Sequence, residues 1–145
     1  MFEALLRRLV APAPARLPAP EANLALAALL VRLARADGDY STAEIARIDR
    51  VLAARHGFTD DSARALRERA EVLEAEAPDT VRFTKALKDA VPLEDRSAVV
   101  QAMWSVALAD GSRDAAEDQV LRLVSNLLGL SDMESAQARQ RAARG

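Results

Sequence analysis

The sequence predicts an all-α fold, a compact bundle of about six to seven helices. Three observations predict it. Half of the 145 residues are apolar but only 3% are aromatic, so the core must be built from Leu, Val, Ile and Ala. Ala and Leu keep backbone and side-chain freedom well matched to the helix, and clusters of β-branched residues, the usual mark of strands, are nearly absent. Apolar residues also recur at three- and four-residue intervals, with Gly or Pro at the breaks. A chain of this length suits one domain with one core.

The order of elements follows from that pattern. Residues 1–10 (MFEALLRRLV) predict a short amphipathic helix with Phe2, Leu5, Leu6 and Leu9 at helical spacing. Residues 11–20 (APAPARLPAP) predict a linker, because Pro12, Pro14, Pro18 and Pro20 favour extended geometry. The folded domain is expected over 21–145. Ala22 to Ala36 reads as a central helix, with Leu24, Leu26, Leu29, Leu30 and Leu33 around much of its circumference. It stops at Asp37-Gly38. Thr42 to His56 follows with Ile45, Ile48, Val51 and Leu52 on one face, and Gly57 ends it. Thr59 caps a helix reaching about Glu76, whose charges (Arg64, Arg67, Glu68, Arg69, Glu71, Glu74) predict a solvated face. Thr80 to Ala90 is the next helix, with Val81, Phe83, Leu87 and Val91 as core candidates and Pro92 as its stop. Leu93 to Ala109 and Ala115 to Leu128 come next. Ser131 with Glu134 forms a capping-box pattern for a last helix that ends in Arg139, Arg141 and Arg144.

Composition narrows the function. The chain has no cysteine, which removes disulfides, thiolate metal sites and cysteine nucleophiles. Its formal charge of -2 gives no pull toward nucleic acid or anionic lipid. No signal peptide is visible, and no apolar run approaches the roughly 20 residues of a membrane span. A cytoplasmic protein is expected. The Ala/Arg-rich usage suggests a bacterium with a GC-rich genome.

Two segments of the chain match each other. Ala36-Asp-Gly-Asp-Tyr-Ser-Thr-Ala-Glu44 aligns without a gap on Ala109-Asp-Gly-Ser-Arg-Asp-Ala-Ala-Glu117, at an offset of 73 residues (109 − 36) and with five of nine positions identical. Ile48 then aligns with Leu121 and Val51 with Val124. Gly57-Phe58-Thr59-Asp60 has its counterpart in Gly129-Leu130-Ser131-Asp132. An internal duplication of an Ala-Asp-Gly helix-turn-helix unit, about 24–60 and 97–132, is the reading. An apolar helix ending in Ala-Asp-Gly, an acidic or Ser turn, a Glu on the next helix and a later Gly-apolar-Ser/Thr, twice over, resembles the TerB-like (tellurite resistance protein B) family. Arg82-Phe83-Thr84 and Glu94-Asp-Arg96 leading to Trp104 and Asp110-Gly111 resemble its short, single-domain branch.

The acidic turns have two readings. Gly38 and Gly111 stop helices, Ser41 to Glu44 is an S-x-x-E capping box, and Asp114 to Glu117 is its acidic variant. On that account Asp37 and Asp110 stabilise tight turns. Alternatively, Asp37, Asp39 and Glu44 form one set of hard oxygen donors, and Asp110, Asp114 and Glu117 a second. If the two turns face each other, they would suit a divalent cation such as Ca²⁺ or Mg²⁺. The resemblance implies a cation site on the acidic surface as well. Neither turn is an EF-hand loop, and Arg113 would repel a cation.

No catalytic constellation is present: His56 is the only histidine, and G-x-S-x-G, phosphate-loop and H-E-x-x-H patterns are missing. Met103 and Trp104 fall among core positions. The expectation is a non-enzymatic TerB-like module, associated by resemblance with tellurite or stress resistance. It would bind a divalent cation or a protein partner through the acidic turns. The alternative is a metal-free protein-interaction or co-chaperone-type adaptor, since the resemblance includes domains fused to J-domains. A small enzyme is the third reading.

Overall fold

A computed structural model describes residues 19–76, 80–109, 111 and 114–144. Among them are seven α-helices and no strand: α1 (Ala19–Arg35), α2 (Thr42–His56), α3 (Asp60–Glu76), α4 (Val81–Ala90), α5 (Arg96–Ala107), α6 (Ala115–Leu127) and α7 (Asp132–Arg144). The all-α expectation holds. The expected helix over 1–10 and the Pro-rich stretch to Pro18 lie outside the described residues.

α1 is the axis of the bundle. Every residue from Ala25 to Val31 is buried, and so are Leu33 and Ala34. A helix apolar all round must be surrounded, and α1 packs on α2, α3, α4, α5 and α6. It begins at Ala19, a turn before the sequence suggests. Pro20 falls in that first turn, where its missing N–H has no intrahelical partner to lose.

The other helices bury single stripes. α2 turns Ile48 and Leu52 inward, α3 Ala63, Leu66 and Ala70, and α6 Leu121 and Val124. α4 buries Phe83, Thr84, Ala86 and Leu87. Val81 is 49% exposed, against its expected core role. It lies two residues before Phe83, which on a 3.6-residue turn points it away from that face. Leu93–Asp95 forms a 3₁₀ turn rather than the start of α5, after Pro92 breaks the chain.

α2 and α6 end alike. Gly57 and Gly129 take positive φ (66° and 85°). Behind them, Phe58 N–H donates to Ala53 C=O and Leu130 N–H to Ser125 C=O, at 3.0 and 2.9 Å. This is the Schellman closure, and it seats the apolar residue after each glycine against the core.

α7 docks on α5 around the single tryptophan. The buried Trp104 Nε1–H donates to Ser135 Oγ at 3.2 Å, and Ser125 and Ser135 hydroxyls pair at 3.2 Å. The Arg139 guanidinium sits 5.5 Å from the Trp104 ring centre. Core packing, with the indole N–H satisfied, is the role the sequence assigns to this residue.

Candidate functional site

The first acidic turn is held by its own side chains. Gly38 closes α1 at φ 81°, and its N–H donates to Arg35 C=O at 3.0 Å. Asp37 Oδ1 accepts the Asp39 N–H at 2.9 Å, an Asx turn. Ser41, in extended backbone, accepts the Glu44 N–H on its Oγ at 3.1 Å. Glu44 Oε1 accepts the Ser41 N–H and hydroxyl at 3.2 and 3.0 Å. The capping box read from the sequence is complete.

The second turn follows the same plan where it is described. Gly111 has φ 76°, and Asp114 is the extended N-cap of α6. Its Oδ1 accepts the N–H groups of Ala116 and Glu117 at 2.7 and 3.4 Å. Asp110 lies outside the described residues, as do Ser112 and Arg113. Glu44 and Glu117, at matching positions of the two turns, are 0% and 1% exposed. A carboxylate taken out of water costs several kcal/mol unless it is compensated. Each of these sits in the first turn of a helix, where the positive end of the dipole offsets part of that cost.

Asp39 is exposed, and Asp37 and Asp114 are half-buried. Among the described residues no three Asp, Glu or His side chains are grouped so as to share a metal ion. None of these acidic side chains, among the described residues, lines a groove with another, but a residue adjoining each turn does. Ala36, beside Asp37, and Ala116, beside Glu117, line the same groove of about 460 Å³ with Val120, Leu123 and Glu74.

The rim of that groove is an ion-pair network. Arg32 Nε and Arg35 Nη1 donate to opposite oxygens of Glu74 at 3.1 and 2.8 Å. Arg32 also reaches Thr80 Oγ1 and the Glu74 carbonyl, and Arg35 the Glu71 carbonyl. Tyr40 Oη donates to Glu71 Oε2 at 2.6 Å, and Arg67 joins Glu71 to Asp49. Burial, then the hydrogen bond to Glu71, raises the Tyr40 pKa. Burial alone would lower that of Arg67, but its bonds to Asp49 and Glu71 raise it. Arg67, Glu71 and Glu74 therefore do not belong to a solvated face; they clamp α3 to α1 and α2.

The sequence profile of a family described as tellurite resistance protein TerB matches residues 23–140. The chain belongs to the TerB family. No curated protein matches it. Among solved structures, this TerB domain is similar to a protein of unknown function, PG1108, from Porphyromonas gingivalis W83. The TM-score is 0.64 at 20% identity, over 90% of this chain and 93% of that one. That likeness shows a shared fold.

The clamp is what the sequence reading of this TerB domain missed. Its one signal was Arg32 and Arg35 in the otherwise apolar stretch from Leu24 to Arg35, since a cation there needs a carboxylate from elsewhere. The lone histidine is structural in its surroundings: His56 packs at 5.1 Å against Phe58 at the end of α2. Burial, with the Arg55 charge beside it, lowers its pKa.

Proposed function

We propose that this chain is a non-enzymatic binding module, associated with tellurite or general stress resistance, that holds a protein partner or a divalent cation at its acidic inter-helix turns. The observation that carries the reading is that a residue adjoining each turn, Ala36 and Ala116, lines one shared groove. The resistance setting rests on the family description alone.

Of the two occupants, the geometry favours a protein partner. Asp37, Glu44 and Asp114 already accept backbone N–H groups in the turns, so much of their lone-pair capacity is committed. The groove centre is apolar, with Leu123 46% exposed, and its rim is the Arg32–Glu74 pair. An apolar centre within a polar rim is the usual form of a protein-binding patch. The cation reading is supported by the matched pair of buried glutamates, Glu44 and Glu117, in the first turns of α2 and α6.

Calorimetric titration of the chelator-stripped protein with Ca²⁺, Mg²⁺, Mn²⁺ and Zn²⁺, with a thermal melt in each, separates the two. A protein-binding module gives no saturable heat and no change in Tm. Saturable binding with a raised Tm, as linkage requires, makes the turns a cation site instead. A partner held at the groove is released by Leu123→Arg, a substitution at an exposed position that leaves the melt unchanged.

A further inference from the structure

A second groove, of about 480 Å³, runs between α2, α5 and the end of α7. It shares no residue with the acidic turns and does not rest on the reading above. Four arginines line it, Arg47, Arg50 and Arg55 from α2 and Arg141 from α7, and no carboxylate does. Arg47, Arg50, Val51, Ala54 and Arg55 fall at i, i+3, i+4, i+7 and i+8, so one stripe of α2 forms the wall. Ala98, Gln101, Ala102 and Ser105 repeat that spacing on α5 and form the facing side.

No counter-charge to these arginines lies among the groove's own lining residues. None of the ion pairs among the described residues involves these four arginines. Two are posed by neutral oxygens: Arg47 Nη1 donates to Ser105 Oγ at 3.1 Å, and Arg141 Nε to Gln101 Oε1 at 3.0 Å. Such contacts orient a guanidinium without cancelling its charge. Small side chains on α5 and Ala54 on α2 keep the space between the arginines open.

We propose that this groove binds an oligophosphate, a ligand carrying two or more linked phosphoryl groups. Planar guanidinium forks match phosphate oxygens bidentately. From Arg47 to Arg55 the α2 stripe spans about 12 Å of helix axis, so a chain of phosphates reaches arginines that one phosphate cannot. An acidic protein segment is the poorer fit. Such an interface needs a large apolar or aromatic anchor, and none of the exposed large apolar residues (Val72, Val81, Leu93, Leu123, Met133) lies in the groove. No aromatic side chain is there to stack a base.

The test is calorimetry of the full chain, in chelator, with tripolyphosphate, pyrophosphate and orthophosphate as probes. Affinity should rise with phosphate number. Arg50→Ala and Arg55→Ala should each weaken tripolyphosphate about tenfold, the worth of one charge-assisted contact. Arg69→Ala, at an exposed arginine of α3, should leave it unchanged. No saturable binding, or an equal loss in Arg69→Ala, overturns the proposal. Tighter binding of an oligo-glutamate peptide at the same arginines also overturns it, in favour of an acidic protein partner.

Discussion

The two flanks of α2 treat arginine in opposite ways. On one, Arg67 of α3 lies 11% exposed between Asp49 and Glu71, and the network runs on through Tyr40 to Arg35, Glu74 and Arg32. On the other, Arg47, Arg50 and Arg55 share a groove with no carboxylate. The same side chain serves as a fastener where its charge is matched and as a waiting contact where it is not. Pairing converts charge into cohesion between helices; leaving charge unmatched costs little at an exposed position and keeps it available to a ligand.

The sharpest break of this contrast is Arg67→Ala. It leaves Asp49 and Glu71 half-buried without their cation, and urea unfolding should show a loss of about 3 kcal/mol. Arg50→Ala should stay within about 0.5 kcal/mol of the wild type. Equal stabilities for the two variants would erase the distinction. A smaller effect comes from loosening α2 itself. Ser41→Ala removes the oxygen that caps Glu44 N–H and should lower stability by about 1 kcal/mol. Tripolyphosphate binding should persist, because the arginine stripe begins a turn later. Parallel loss of both would mean that the groove depends on the cap.

The smallest effect is a pH dependence. In the folded state His56 resists protonation, so its contribution is fully present above the ordinary imidazole pKa of about 6.5. That contribution is lost as the pH falls through this value toward the lowered pKa of the folded protein. The melting temperature should fall more between pH 7.5 and 5 in the wild type than in His56→Gln. Arg55→Ala should shift the His56 titration, followed by NMR, upward, because the Arg55 charge contributes to the lowering. Identical pH slopes, or an unmoved titration, would detach His56 from the arginine flank.

Much of the fold was legible because its signals are local. Gly57 and Gly129 mark their stops by needing positive φ, and Ser41 with Glu44 and Ser131 with Glu134 mark starts within four residues. Periodicity exposed Ile48, Leu52, Leu121 and Val124 as core. Partners distant in sequence were not legible: Arg32 meets Glu74 across 42 positions, and only packing decides that. Hence α3 reads as a solvated helix, while Arg67, Glu71 and Glu74, three of the six charges assigned to that face, are engaged. For the site, the caps at Ser41 and Asp114 were readable, but the deep burial of Glu44 and Glu117 was not. A capping glutamate has the same pattern whether its carboxylate faces water or core. The arginine groove escaped notice because its stripe coincides with the polar side of an ordinary amphipathic helix.

The docking of α7 on Trp104 has a spectroscopic consequence. The indole is the chain's single tryptophan, shielded from water and tied by its N–H to a serine of α7. Its emission therefore responds to the seating of the C-terminal helix. A red shift that precedes loss of helical circular dichroism would mark α7 as the first part to leave. Because α7 also carries Arg141, the same light would register whether the fourth arginine is in place.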